Sequence, residues 1–494
     1  MSARKLVIVA SVLALLGAMV PAAGAASPSC DTRVNNTIAK LLECVTLDGV
    51  REHQAAFQEI ADDNGGTRAA GTSGYDESAD YVMERMEAAG YLVTEQVFQF
   101  RTFELLSAPV LEQVFPGPTT ALAHTIMSYS GSGNVTAAVS VPSGDFRGCT
   151  AADFGGFPAG NIALISRGAP PGFPVACTFA LKANNALAAG ASAVVIYNNV
   201  AGPLNGTLGN DFAPNLVVTG ITQSLGAQLA ATPGLVLHLQ AETEREIVTT
   251  SNVFAERPGK NKNNVVMVGA HLDSVSAGPG INDNGSGSAA ILEVAEQMAK
   301  VKPQNTLRFA WWGAEEAVLV GSTFYINNLS DEEFAKIALY MNFDMVGSPN
   351  HVFFVYDGDN SDNVGAGPGP AGSAQIEDRF EAFYNSRSLP SKGTDFDGRS
   401  DYGPFIANGI PSGGLFTGAE QMKTAAEAAL WGGTAGLAYD PCYHQACDTF
   451  ANNNNFALET NSDAIADATL GFAMSTEIIN GTKSKGNFKP GPTS

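Results

Sequence analysis

The sequence predicts an α/β protein: a mostly parallel mixed sheet with helices on both faces, interrupted by an inserted β-rich domain. Three observations predict it. From about Thr249 onward, short apolar runs alternate with amphipathic helical stretches, the pattern of strand–helix–strand units with right-handed crossovers. Runs such as NNVVMVGA and LRFAWW are apolar without alternation, as expected of strands covered on both faces. Between about Ala108 and Glu244, charged residues thin out and short β-like runs dominate, which sets that stretch apart from its flanks.

The elements follow in order. Residues 1–26 read as an export signal. Arg4 and Lys5 precede an apolar run from Leu6 to Val20, and AAGAAS then offers small residues for cleavage. The run is short for a membrane span, and no later segment approaches one. The mature chain is therefore expected to be secreted and free of the membrane. Residues 30–107 open the main domain. TIAKLLECVTLDGVREHQAAFQEIADD has helical spacing, NGGTRAAGTSGY is a glycine-rich loop, DESADYVMERMEAAG is a second helical run closing at Gly90, and YLVTEQVFQF alternates like a strand. Residues 108–247 form the insert, with NVTAAVSV, GNIALISRG, SAVVIYNN, NLVVTGI and LVLHLQA as strands and FALKANNALAAG as its one helix. Residues 248–482 complete the main domain, with strands in NNVVMVGA, TLRFAWWG and AKIALYMNFDMVG and helices in GSAAILEVAEQMAKV and VGSTFYINNL. Residues 483–494, KSKGNFKPGPTS, read as a flexible tail.

Composition narrows the function. The 494 residues suffice for two or three cores. A net charge of −22 would repel polyphosphate, so no nucleic-acid partner is expected. With export expected, Cys30, Cys44, Cys149, Cys177, Cys442 and Cys447 default to disulfides. Six cysteines allow fifteen connectivities; proximity favours Cys30–Cys44, Cys149–Cys177 and Cys442–Cys447. A structural zinc site is the competing use, but the chain has no CxxC spacing.

Catalytic groups in such sheets gather at the carboxyl ends of the strands. VVMVGA ends in His271, within HLDS, and the loop after it carries Asp283. LRFAWW leads to Glu315 and Glu316, ALYMNF leads to Asp344, and CYHQAC holds Tyr443 and His444. His271, Asp283, Glu316, Asp344 and His444 make a set of imidazoles and carboxylates suited to zinc. Two zincs sharing one bridging carboxylate would use all five. Glu315 is then left to handle protons, and Asp273 is placed to hold the second N–H of His271. Adjacent glutamates at the end of a buried strand repel each other unless cations offset them, and this set supplies the reason for cations. His53, His124, His238 and His351 lack such surroundings and read as structural or surface residues. A lone strand-end aspartate is usually a cap or turn residue; it is the ordered series that carries the signal.

AHLDS, GINDNGSG, WWGAEE, NFDMVG and CYHQACD, in that order, resemble the secreted double-zinc aminopeptidases of the Streptomyces and Vibrio leucine aminopeptidase type. They also resemble relatives of the aminopeptidase Y type that carry an inserted protease-associated (PA) domain. GNIALISRGAPPGFPVACTFALKANNALAAGASAVVIYNN is similar to that domain, and NGGTRAAGTSGYDESADYV, GRSDYGPF and GLFTGAE extend the likeness. The resemblance implies the zinc exopeptidase fold and two Zn2+ per chain. His271 and Asp344 would hold one zinc, Glu316 and His444 the other, and Asp283 would bridge. It implies Glu315 as general base, Tyr443 as oxyanion donor, Arg399 at the substrate's N-terminal end and Phe416 as a wall of the first side-chain pocket. The substrates implied are peptides or proteins with a free N-terminus, with large apolar first residues favoured. In one branch calcium raises activity. Glu459 and Asp463 fall near that acidic site, but Cys44 and Val45 stand in its N-terminal portion, which argues against Ca2+. A carboxypeptidase or single-zinc glutaminyl cyclase on the same scaffold, and a non-catalytic binding ectodomain, are the competing readings. The complete ligand set and the GAEE pair oppose the cyclase and the ectodomain.

Overall fold

Continuous apolar runs become the centre of the main sheet in the computed structural model, which describes residues 30, 32–173, 176–365 and 367–482. Eight strands form it: β1 (Leu92–Arg101), β2 (Ile247–Arg257), β3 (Asn261–His271), β4 (Asn305–Trp312), β5 (Ile337–Phe343), β6 (Phe354–Tyr356), β7 (Lys392–Thr394) and β8 (Ser412–Phe416). Their spatial order is β1-β2-β4-β3-β5-β8-β6-β7. The central four, β4, β3, β5 and β8, run parallel. β1 and β2 add an antiparallel edge on one side, and β6 pairs antiparallel with β8 on the other. The sheet is therefore mixed with a parallel centre, as the alternation of elements predicts.

Burial explains why the central strands lack alternation. Every residue of β5 is buried, and in β4 only Arg308 is not. Successive side chains go to opposite faces, and both faces are covered. On one face Val266, Val268, Phe309, Trp311 and Met341 pack under α1 (Leu47–Asp63), α2 (Ser73–Ala88), α3 (Gly285–Gln297), α5 (Ser373–Ser386) and α7 (Asn455–Met474). On the other, Met267, Trp312 and Tyr340 meet α4 (Val320–Asn328) and α6 (Tyr402–Ala407). Tyr340 stacks on Phe405 with ring centroids 4.0 Å apart. Each large apolar side chain so buried contributes about 1.5–3 kcal/mol.

The insert is built around a second eight-stranded sheet. The run Gly133–Ser140, Ile162–Ser166, Ala193–Tyr197 and Val218–Ile221 pairs parallel in that order. A two-stranded neck, Glu104–Leu105 with Thr243–Glu244, joins it to the main sheet. Two sequence expectations need correction. The insert holds a second helix, Gln223–Ala230, whose Thr222 hydroxyl caps Leu225 N–H; its short apolar spacing gave little signal. The first helical run is broken into Ile38–Leu42 and α1. Thr46 adopts the extended conformation and caps α1 through Gly49 N–H, while Cys44 is drawn into a disulfide with Cys30. Cys149–Cys177 and Cys442–Cys447 are also paired. The expected signal (1–26) and tail (483–494) lie outside the described residues, among which no helix is long and apolar enough to cross a membrane.

One glycine sets how closely β8 approaches β5. Gly414 pairs with Asn342 and has φ +152°. A methyl group there would lie 1.8 Å from the Asn342 carbonyl oxygen, a backbone clash that only strand separation relieves. Gly414→Ala is expected to lower stability in denaturant melts by roughly 3 kcal/mol.

Candidate metal centre

Three parallel strands end side by side, and their carboxyl ends supply the centre. His271 is the last residue of β3, Asp344 follows β5, and Glu315 and Glu316 follow β4 across Gly313 and Ala314. Asp283 precedes α3, and His444 comes from the small loop closed by Cys442–Cys447.

The six side chains converge. His271 Nε2 lies 3.2 Å from Asp283 Oδ1 and 3.3 Å from Asp344 Oδ1. His444 Nε2 lies 3.2 Å from Asp283 Oδ2 and 3.1 Å from Glu316 Oε2. Asp283 thus turns one oxygen to each imidazole, and two triads, His271–Asp283–Asp344 and Asp283–Glu316–His444, share it. Ligand bonds of about 2.0–2.1 Å at tetrahedral angles separate donor atoms by about 3.3–3.4 Å, which is the spacing found. Asp344 Oδ1 and Glu316 Oε1 are buried and have no hydrogen-bond partner in the protein. Buried carboxylate oxygens without a partner call for a cation, so the donor set fits a pair of divalent metals.

The electrostatics agree. Burial pushes Glu315 well above the usual carboxylate range; His271 opposes this, and Glu316 and Asp401 add to it. Burial, then Asp283, pushes Glu316 up to about 7. For His271 burial alone would favour the neutral ring, but Asp344 and Glu315 override it and the net shift is upward. His444 behaves likewise: burial opposes, Asp283 and Glu316 prevail, and its pKa rises to about 10. Asp283 is driven the other way: burial would raise it, but hydrogen bonds from both imidazoles hold it well below the usual range.

Neighbouring groups fix the side chains of the cluster. The Nδ1–H of His271 meets the backbone carbonyl of Asp273 at 3.0 Å, with the Asp273 carboxylate at 3.6 Å. The imidazole thus has both the carbonyl and the carboxylate of Asp273 beside its Nδ1. The carboxylate also accepts the backbone N–H groups of Glu315 and Glu316, at 3.1 and 3.3 Å, because the β4 loop presents those donors directly to it. Asp344 Oδ2 accepts from Ser400 at 2.6 Å. Ser400 ends a buried chain in which Trp312 donates to Tyr340, Tyr340 to Asn342, and Asn342 to Ser400.

Sequence reasoning missed several such groups. Arg68, fully buried, donates to the carbonyls of Leu272, Pro279 and Gly280 and so ties together the loops of His271 and Asp283. The Asp448 carboxylate accepts N–H from Asn282 and Asp283, each at 2.9 Å. Asp401, also fully buried, is pushed up to about 7 by burial. All three stand inside quoted motifs (NGGTRAAG, CYHQACD, GRSDYGPF), but no residue pattern within those motifs marks them.

The remaining expected residues line one cleft beside the centre. Tyr443 stacks on His444 with centroids 3.8 Å apart, and its hydroxyl accepts from Arg399 Nη2 at 3.1 Å. Arg399 also pairs with Glu420 at 2.9 Å. Met345, Tyr356, Tyr402 and Phe416 give the cleft its apolar walls. Of the other histidines, His53 is buried against Tyr81 and His351 is buried with its pKa lowered to about 4 by burial. His124 and His238 belong to the insert.

The sequence profile of Peptidase family M28 matches residues 252–469, and that of the PA domain matches residues 133–229. The chain is 48% identical over 454 residues to an aminopeptidase of Pseudomonas aeruginosa, covering 89% of this chain and 83% of that one. It is 42% identical over 415 residues to leucine aminopeptidase 2 of Trichophyton equinum, covering 83% and 80%. Among solved structures, the aminopeptidase from Aneurinibacillus sp. strain AM-1 superposes with a TM-score of 0.69 at 29% identity, covering 87% of this chain and 95% of that one. A zinc aminopeptidase from Bacillus subtilis gives 0.55 at 26% identity, covering 85% and 94%.

The raised groups set a pH dependence. Both Glu316 and His444 hold their protons more tightly when folded than when unfolded. Stability from such groups is complete below the unfolded pKa and declines as pH rises through the folded one. Chelated protein is expected to melt several degrees lower at pH 9 than at pH 5.5. Protein refilled with zinc should show a much smaller decline, since the cations replace the protons. Scanning calorimetry on both forms checks it.

Proposed function

The chain belongs to peptidase family M28, and on that footing we propose that it is a secreted, zinc-dependent aminopeptidase acting on peptides with a free N-terminus, large apolar first residues foremost. The observation that carries this reading is Asp283, whose two oxygens each lie 3.2 Å from a different imidazole. That geometry supports two zincs per chain. His271 and Asp344 would hold one, Glu316 and His444 the other, and Asp283 both. When bound, zinc makes a water acidic enough to lose a proton near neutral pH and withdraws charge from the scissile carbonyl.

The chain's own groups do the rest. Glu315 is the one carboxylate of the cluster outside both triads, and it lines the cleft. It takes the proton of the attacking water and returns it to the nitrogen of the leaving amine. Tyr443 accepts from Arg399, which leaves its own O–H free to donate to the developing oxyanion. Burial, reinforced by Asp283 and Glu316, keeps that hydroxyl protonated. One such donor stabilises the transition state by about 3 kcal/mol. Arg399 acts through Tyr443 and Glu420. A free substrate ammonium finds carboxylates at the cleft floor, whereas a blocked terminus does not. Met345, Tyr356, Tyr402 and Phe416 suit a leucine-sized first side chain. Calcium is not assigned: Asp463 is already paired with Arg387 at 2.7 Å, and Cys44 is closed in a disulfide. Three disulfides support an oxidising, extracellular destination.

Leucine p-nitroanilide should be hydrolysed and its N-acetylated form should not. The activity should vanish on chelation and return with zinc. Cleavage of the blocked substrate would overturn the exopeptidase reading. Glu315→Gln should keep the metal content of the wild type and lower kcat about 10²–10⁴-fold. Asp283→Ala should instead lose metal from both positions, measured by elemental analysis after dialysis.

A further inference from the structure

We infer that Tyr129, a residue of the inserted lobe, is a positioning residue for the loop that carries Glu315 and Glu316. The Tyr129 hydroxyl donates to the carbonyl of Ala317 at 3.1 Å. Ala317 follows Glu316 directly. The insert thus holds the backbone next to a metal-facing glutamate and two residues from the proposed base. Nothing in the chemistry above uses this contact.

The loop has a reason to need such an anchor. Ala314, Val318 and Leu319 have φ of +56°, +73° and +56°. Three non-glycine residues in the left-handed region thus bracket the glutamate pair. For a β-branched residue such as Val318 that conformation is an outlier, and strained backbone persists only where surrounding contacts over-determine it. Asp273 holds the loop from the sheet side through Glu315 and Glu316 N–H. Inside the loop, Leu319 N–H bonds to Glu315 O at 2.8 Å and Val320 N–H to Ala314 O at 3.0 Å. The side chain of Val318 is more exposed than buried, so it offers little packing. Tyr129 supplies a restraint from the lobe side.

Tyr129 is itself firmly built. It is 2% exposed, its ring packs on Phe103, and its own φ of +66° is left-handed. Arg245 Nη1 donates to the Tyr129 carbonyl at 3.2 Å and to the carbonyls of Phe212 and Pro214. Asn210 and Arg101 bond backbone and side chain across the neck beside it. The hydroxyl is therefore presented from a rigid mount. An incidental contact between lobes would not require a strained residue pinned by the half-buried Arg245 against the backbone of the glutamate loop.

The inference rests on the peptidase reading for its kinetic readout and on the metal-site fit for its binding readout. Tyr129→Phe removes only the hydroxyl. It is expected to lower kcat about 10-fold with KM within about twofold, and to weaken zinc binding to the chelated full-length protein about 10-fold in a competition titration. The melting temperature in the chelated state should stay within about two degrees of wild type. Thr102→Val, which removes two hydrogen bonds with the Glu246 backbone beside the neck, should change neither kcat nor zinc affinity. Arg245→Lys, which releases the Tyr129 carbonyl, should reproduce part of the loss and serves in place of Tyr129→Phe if that variant does not fold. Unchanged zinc affinity and kcat in Tyr129→Phe would overturn the inference. So would equal losses in Thr102→Val, which would mean general loosening of the lobe. A wild type without aminopeptidase activity would refute the functional reading, and the zinc titration would still decide the role of Tyr129.

Discussion

Four carboxylates and two imidazoles meet where three parallel strands end, and no lysine or arginine contributes to either triad. That concentration of like charge is the constraint on which the rest of the structure depends. In a medium of low effective dielectric, carboxylates a few ångströms apart repel by several kcal/mol per pair. A fold that holds them together needs cations or protons between them and a frame stiff enough not to let them drift apart. Burial and like charge raise Glu315 and Glu316, while the two imidazoles depress Asp283, so the cluster's electrostatics turn on positive charge.

The frame is made of backbone as much as of side chains. Arg68 spends its guanidinium on three carbonyls, although carboxylates are nearby. Those carbonyls belong to the loops of His271 and Asp283, so one side chain sets the separation of these two members of the cluster. Burial lowers its pKa to about 10, with Asp273, Asp448 and Asp283 opposing that shift, so it stays charged at neutral pH. Asp448 works from the other side of the same loop, turning two successive N–H groups toward itself. The chain Trp312–Tyr340–Asn342–Ser400 carries the rigidity of two central strands to Asp344. Hydrogen bonds in such a buried network polarise one another and are costly to break singly.

Much of this was legible in the sequence, for physical reasons. Strands buried on both faces must be continuously apolar, so β3, β4 and β5 could be read, and the polar residues just beyond each had to lie at one edge of the sheet. That placed His271, Glu315, Glu316 and Asp344, while the order of motifs added Asp283 and His444. What could not be read depends on direction rather than identity. Asp273 was identified beside the imidazole, but its hold on the N–H groups of the glutamate loop was not, because which backbone donors meet a carboxylate depends on coordinates. Arg68 and Asp448 touch the site only through backbone atoms, which every residue possesses, so no pattern of residue types reveals them. The break near Cys44 and the second insert helix were lost because a cap and a cross-link outweighed helical spacing over short runs.

The position of the insert follows from strand direction. β1 is antiparallel to β2, and β2 is antiparallel to β4, so β1 runs the same way as β4. Arg101, the end of β1, pairs with Ile247, the start of β2. The insert therefore leaves and rejoins the sheet at one point, as an enlarged hairpin, and its length barely disturbs the register because closure entropy grows only with the logarithm of loop length. That point lies on the same edge of the sheet as the end of β4, where Glu315 and Glu316 stand. A domain placed in this hairpin has to emerge beside the catalytic edge, and it comes close enough for Tyr129 to bond to the glutamate loop. Inserted in any connection at the opposite ends of the strands, the same domain would fold as well and would have no access to the chemistry.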